Sequence, residues 1–337
     1  MINFIQFTFT RAFLSIVTLL IVCFIVFSLM ELVPGTCAER YLAFKNTQGS
    51  QITFEDIAAE ERRLGLDKPF LYRYTKWVSD IVIKQDFGDS CILRISINEL
   101  LSGRFVLSLI IAITALLFSY AIAIPVGIIS ATTKYASLDN ALKFISYLGI
   151  ALPNFLVALC IMLFMTVYYG DTMTGLFSQE YERAPWSVAK IKDFLSRAWL
   201  PIFVLGWNAT AFALQTVRAL MLDESDKLYV MAARARGISG MSLLWRYPAK
   251  HSLGPVINSI GFDLNRIFSA LPVVALILIL TEAGALLIEA LARSNDQQLA
   301  GAIIFLLTAT IVFVNFVTDV ILAIMDPRIR RGVMGGN

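Results

Sequence analysis

The sequence predicts an all-α, polytopic membrane protein with six transmembrane helices. Mean hydropathy is +0.72, hydrophobic residues make up 58% of the chain against 16% charged, and the apolar residues gather into long runs instead of recurring at amphipathic spacing. A bilayer core demands roughly 20 consecutive apolar residues per helix, because each segment must satisfy its own backbone polar groups. Six stretches of the 337-residue chain meet that demand, at 12–32, 105–130, 142–169, 200–222, 256–280 and 300–325. The net charge of +3 is too small to draw the chain to nucleic acid.

The first stretch is longer than the roughly 7 to 15 apolar residues of a signal peptide, and no small-x-small cleavage site follows it, so residues 1–33 read as a retained helix. Lys and Arg accumulate in short loops on the cytoplasmic side. With both termini inside, that side holds Arg11, Lys134, Lys143, the basic residues from Arg218 to Lys250, and Arg328, Arg330 and Arg331. These outnumber Arg183, Lys190, Lys192, Arg197 and Arg293 in the short outer loops. Both termini are therefore expected inside, and the segment 34–103 after helix one becomes a large outer loop. Its patches "FEDIAAEERRLGL" and "FLYRYTKWV" suit either a solvated connector or a small ordered subdomain. Cys37 and Cys91 both fall in it, where a disulfide can form if the two meet; Cys23 and Cys160 sit in apolar runs as small hydrophobes. A second outer loop spans 170–199, and 104–337 forms a five-helix core.

Between helices four and five, 223–254 forms the longest inner loop and contains "YVMAARARGISGMSLLWRYPAKHSLGPV". "DESD" from Asp223 places acids at the start of a first short helix, Gly237 ends it, and Ser239 or Ser242 caps a second before Pro248 and Pro255 turn the chain back into the membrane. Ala232 and Ala233 keep one face free of bulk, while Arg234 and Arg236 hold the other near the headgroups. Such a pair of surface helices suits a protein partner; the alternative is a juxtamembrane helix whose arginines meet anionic lipid.

Polar residues inside the apolar runs are the next signal, since a charge at bilayer depth costs about 2.5 to 3.5 kcal/mol and usually faces a cavity or a partner. Asn208 and Gln215 lie in helix four, Asp263, Asn265 and Arg266 in helix five, Asn315 and Asp319 in helix six, and Asn154 follows Pro153 at an expected local break. Asp263 and Arg266, three apart, can pair on one face, either as a structural ion pair or as pathway lining. The single histidine, His251, reads as a surface or capping residue, with no metal site around it. Nothing in the chain offers paired carboxylates, a metal-spaced Cys/His cluster or a nucleophile elbow.

The loop motif "YVMAARARG" resembles the coupling loop, known as the EAA loop, of permease subunits of bacterial ABC importers, particularly the dipeptide/oligopeptide branch. "LGLDKPFLYRYTKWV", "DFGDS", "IPVGIISA", "ALPNF", "LPIFVLG" and "DPRIRR" resemble further signatures of that branch in chain order, and Pro255 lies where it expects its proline. The chain departs from the family after helix five, where "LTEAGALLIEAL" replaces a "W-P-G-L-G" element. The resemblance implies a half-channel in a bacterial inner membrane, with 34–103 periplasmic. It implies a second homologous permease subunit, two ATP-binding subunits and a periplasmic solute-binding protein as partners. The chain itself would bind no cofactor, and ATP and Mg would be used by the ATP-binding subunits, consistent with the absence of a G-x-x-x-x-G-K-[ST] loop here. Ala232, Ala233, Arg234, Arg236 and Gly237 would carry the coupling contact. Two rival readings remain at this point: a membrane scaffold or sensor that binds a cytoplasmic partner through the same loop, and a membrane-embedded enzyme.

Overall fold

The computed structural model describes residues 2–32, 35–47, 53–133, 135–170, 174–182, 184–294 and 296–325. Among them the chain is helical: α1 (Ile2–Glu31), α2 (Cys37–Thr47), α3 (Phe54–Leu64), α4 (Phe70–Ser79), α5 (Ile97–Leu101), α6 (Arg104–Thr132), α7 (Ala136–Ala151) and α8 (Asn154–Tyr169). They are followed by α9 (Val188–Ser225), α10 (Leu228–Ala235), α11 (Gly240–Arg246), α12 (Pro248–Leu278), α13 (Ala283–Ile288) and α14 (Gln297–Met325), with π-helical turns at Asp80–Lys84 and Glu289–Ser294. Helices long and apolar enough to cross a membrane include α1, α9, α12 and α14, and α6 extended back to Ile97.

The third apolar stretch is broken where the sequence led us to expect a local break, at Pro153. It is two helices, α7 and α8, bent by 100°. Pro153 is the cause: it lacks a backbone donor and pushes the residue before it out of the helical region, and Leu152 is accordingly extended at φ −85 and ψ 121. Several helices also begin earlier than hydropathy suggests, α1, α9 and α12 among them. The 38 residues of α9 extend about 57 Å at 1.5 Å per residue, well beyond a hydrocarbon core of about 30 Å. Its start is set by Ser187, whose hydroxyl accepts from the Lys190 amide at 3.2 Å. In α12, Pro248 occupies the first turn, where a missing donor costs nothing, whereas Pro255 lies inside the helix and does not begin it.

The chain divides into two compact units. One comprises the described residues of Met1–Phe13, Leu109–Leu280 and Ile311–Asn337. At its centre α9 and α12 present buried faces, including Val204, Leu205, Leu214 and Val217 on the first and Leu264, Ile267, Phe268 and Leu271 on the second. Between helices in lipid, small residues let backbones approach. A methyl group at Gly206 would sit 2.9 Å from Phe118 on α6, and one at Gly149 would sit 2.8 Å from Ala211. Ser119 donates to the Gly206 carbonyl at 3.0 Å, satisfying its hydroxyl across the same contact.

The second unit comprises Leu14–Ser108 and Thr281–Thr310. Its core is aromatic: Phe27 and Trp77 lie 5.7 Å apart, Trp77 and Phe305 lie 6.0 Å apart, and Tyr74 donates to the Leu20 carbonyl at 2.8 Å. Cys37 and Cys91 are joined by a disulfide, with Cα atoms 6.3 Å apart. Asp296, 1% exposed, accepts from Ser90 Oγ at 2.6 Å, the Cys91 amide at 2.9 Å and the Leu299 amide at 3.1 Å. The departing segment "LTEAGALLIEAL" forms α13 under a buried cap, Glu282, which accepts from the Gly284 and Ala285 amides and from Ser108. Burial pushes the Glu282 carboxyl above its ordinary value.

Candidate functional site

The segment between α9 and α12 is a helical hairpin, α10 and α11, with a core of its own. Val230, Ala233 and Leu243 are buried together, with Tyr229, Ile238 and Tyr247 packed around them. Ala233 has no exposed surface, so its small side chain serves contact between the two short helices and does not face outward. The outward rim consists of Ala232, Arg234, Arg236 and Gly237, all exposed. Gly237 turns the chain at φ +84, a left-handed conformation that favours glycine, and no atom lies within 4 Å of where its Cβ would be. Neither Arg234 nor Arg236 makes an ion pair among the described residues.

The acids of "DESD" do not start α10. They close α9, where Glu224 accepts from Lys227 and from the Tyr229 hydroxyl. Burial first, and the Glu224 carboxylate next, push the Tyr229 hydroxyl above its usual value. The Tyr229 ring also meets His251, at 5.2 Å and edge-on, and Tyr247, at 6.5 Å. Ser239 stands at the N-cap of α11 without a side-chain cap bond, and Ser242 lies inside that helix. Beneath the hairpin, Ile128 of α6, Val217 and Met221 of α9 and Ala249 and Val256 of α12 form one buried cluster. The hairpin is therefore fixed at both roots, to the end of α9 and to the start of α12.

Deeper in the bundle, an open cavity of about 390 Å³ is lined by polar groups from three helices, among them Asn154 of α8, Asn208 of α9, and Asn265, Arg266 and Ser269 of α12. Asp263, 4% exposed, lies behind Arg266: its carboxylate accepts from the Tyr120 hydroxyl at 2.6 Å and from the Arg266 guanidinium at 3.2 Å. Arg266 covers the Phe212 ring at 3.7 Å. Asn208 donates to the Gly149 carbonyl at 3.2 Å, and Asn154 Oδ1 is buried without a partner. Gln215 lies apart from the cavity lining, with a buried Nε2 that is also unpartnered. Asn315 packs over Gly261, and Asp319 pairs with Arg11 at 3.2 Å. Arg328, Arg330 and Arg331, with the "DPRIRR" motif, lie outside the described residues.

Tyr120 and Phe212 join these sites unforeseen, as does the pairing of Tyr229 with Glu224. Tyr120 and Phe212 sit in apolar runs that read as plain membrane helix, and nothing in the spacing ties Tyr120 to Asp263, 143 residues away. The "YV" of the loop motif contains Tyr229, but the spacing of "DESD" suits helix-start acids and hides Glu224 as its partner.

Residues 123–331 match the family described as the binding-protein-dependent transport system inner membrane component, and 4–93 match the N-terminal region described for such membrane components. The chain is 27% identical over 323 residues to the oligopeptide transport system permease protein AppB of Bacillus subtilis (strain 168), covering 95% of this chain and 97% of that one. It is 30% identical over 281 residues to the inner membrane ABC transporter permease protein YejB of Escherichia coli O157:H7, covering 82% and 76%. With the dipeptide transport system permease protein DppB of Escherichia coli (strain K12) identity is 25% over 342 residues, covering 97% and 99%. Among solved structures, an inward-facing conformation of the MetNI methionine ABC transporter aligns with a TM-score of 0.54 at 16% identity, covering 67% of this chain and 96% of that one. That likeness concerns the fold.

Proposed function

This chain belongs to the family of binding-protein-dependent transport system inner membrane components, and from that premise we propose that it imports peptides or similar small solutes as half of a translocation pathway. It is a multi-pass permease subunit of an ABC importer in the inner membrane, and ATP hydrolysis belongs to separate subunits. In the proposed assembly it pairs with a second homologous permease, two ATP-binding subunits and a periplasmic solute-binding protein, with both termini and the hairpin on the cytoplasmic side and residues 34–103 in the periplasm.

The observation that carries the coupling role is the division of labour within the hairpin. Ala233 and its neighbours close the hairpin's own core, leaving Ala232, Arg234, Arg236 and Gly237 as an outward rim without ion pairs among the described residues. A partner shifts a conformational equilibrium only through contacts that differ between the two states, and Tyr229 links the rim to α9 and α12, which would move between them. Pulled or pushed by an ATP-binding subunit, the rim moves the helices that carry Asn208 and Arg266. This makes the loop a coupling element where a lipid-anchored helix would need only its arginines. No observation favours the scaffold or enzyme readings.

The test is reconstitution in proteoliposomes. ATP-driven uptake of a dipeptide such as dialanine is expected with the full set of subunits and none when the ATP-binding subunits are omitted. Uptake by this chain and its sister permease alone would contradict the proposal.

A further inference from the structure

Arg266 lies ten residues beyond Val256, where the apolar run begins, and twelve before the end of α12 at Leu278, about 15 and 18 Å along the helix axis, near the middle of the run and with either end far for its guanidinium to reach. Its charge is offset by Asp263 at 3.2 Å and by the Phe212 ring at 3.7 Å. Neutralising Asp263 does not account for it fully. The Tyr120 hydroxyl already donates to that carboxylate at 2.6 Å, and Arg266 spends one N–H on it, out of five. The rest of the fork remains, on a side chain 43% exposed at an open cavity of about 390 Å³, a volume within the range of small-molecule sites.

The geometry points to Arg266 as a carboxylate-recognising station in the pathway, selecting solutes that carry a free carboxylate beside an N–H donor, as short peptides do. This deepens, and rests on, the reading of the chain as a half-channel. A planar guanidinium with free donors matches a carboxylate in two parallel hydrogen bonds. The complementary acceptor lines the same cavity: Asn154 Oδ1 is buried without a partner, a state that costs about 1 to 3 kcal/mol unless a solute or water fills it. Because Asp263 holds the pair near neutrality, the attraction for an anion is moderated, which suits a station that must release its cargo as well as receive it.

The experiment uses the complete transporter in nanodiscs, without its solute-binding protein, and measures equilibrium binding of radiolabelled dialanine and of dialanine amide. Wild type is expected to bind the acid roughly tenfold more tightly than the amide. The uncharged pair D263N/R266Q leaves no buried charge unpaired and is expected to abolish the difference, whereas D263N alone, with the guanidinium retained, keeps the acid ahead. Equal binding of acid and amide, binding of neither at about 10 mM, or an unchanged ratio in the double variant overturns the inference. ATP-driven dialanine uptake by the same proteins in proteoliposomes, with the solute-binding protein added, separates the two levels: if it persists while the ratio fails, only the carboxylate station falls, and if wild type shows none, the half-channel reading falls with it.

Discussion

The Tyr229 ring stands edge-on to the His251 ring, with centroids 5.2 Å apart, while its hydroxyl donates to Glu224 at the end of α9. One side chain in the hairpin thus touches the last turn of one long helix and the first turn of the next. Replacing it separates assembly from transmission. Tyr229→Phe removes only the hydroxyl, worth about 1 kcal/mol, whereas Tyr229→Ala also removes the ring and loosens the hairpin by about 2 to 3 kcal/mol. The expected outcome is that ATP hydrolysis by the complex survives Tyr229→Ala while uptake per ATP falls several-fold, with Tyr229→Phe intermediate. Parallel measurement of phosphate release and uptake in vesicles checks it; uptake per ATP unchanged in Tyr229→Ala would remove this residue from the coupling path.

Gly237 distinguishes conformation from bulk. Its φ of +84 penalises any side chain, but its surroundings are empty within 4 Å. Gly237→Ala should cost about 1 kcal/mol and Gly237→Asn less, since asparagine tolerates the left-handed region. Gly237→Trp adds a ring that has room in this chain and none against a docked partner. The expected outcome is a variant that inserts and purifies normally yet retains ATP-binding subunits roughly tenfold less well, about 1.4 kcal/mol. Affinity co-purification checks it, and full retention would count against the rim as the docking surface.

A contact between α12 and α14 yields a thermodynamic cycle. A methyl group at Gly261 would lie 1.4 Å from Asn315 Oδ1 and 2.6 Å from its Cγ. Gly261→Ala is expected to destabilise by about 1 to 3 kcal/mol through overpacking, and the loss should shrink in an Asn315→Ala background, because neighbours in contact are not additive. Thermal melts of the four detergent-solubilised proteins give the coupling.

The large insertion after α1 should depend on its cross-link. Cys37 and Cys91 are 54 residues apart in sequence, and closing a loop of that length restricts the unfolded chain by up to about 4 kcal/mol. C37S/C91S is expected to lower the melting temperature of the purified protein and to expose 34–103 to limited proteolysis, and reductant should reproduce both effects in wild type only. A melting curve unaffected by either change would show the cross-link to be dispensable.

Much of this architecture is legible because a bilayer leaves an apolar run few options. The six runs read from hydropathy are helical over nearly all their length, the third in two pieces, and the motif "YVMAARARG" marks the hairpin. Averaged hydropathy carries no direction, so Pro153 marks a local break in the third run while the 100° angle of the turn stays hidden. Charge hid the start of α9, where Lys190 folds back to the Ala184 carbonyl at 2.6 Å instead of marking a solvated loop. Ala232 and Ala233 look equivalent in sequence, and only packing separates the exposed residue from the buried one. The Tyr120–Asp263 bond joins helices far apart in the chain, which no spacing rule reaches.

The central claim, that the exposed rim of the hairpin is where the ATP-binding subunits grip, is tested most directly by a cysteine at that rim. In a C23S/C160S background, which removes the two free thiols, Ala232→Cys is placed in the complete transporter and exposed to a short bifunctional crosslinker, with and without a non-hydrolysable ATP analogue. The account predicts crosslinks to an ATP-binding subunit whose yield changes with nucleotide, and no labelling by a membrane-impermeant maleimide until cells are opened. Labelling from outside intact cells, or crosslinks solely to the solute-binding protein, would contradict it.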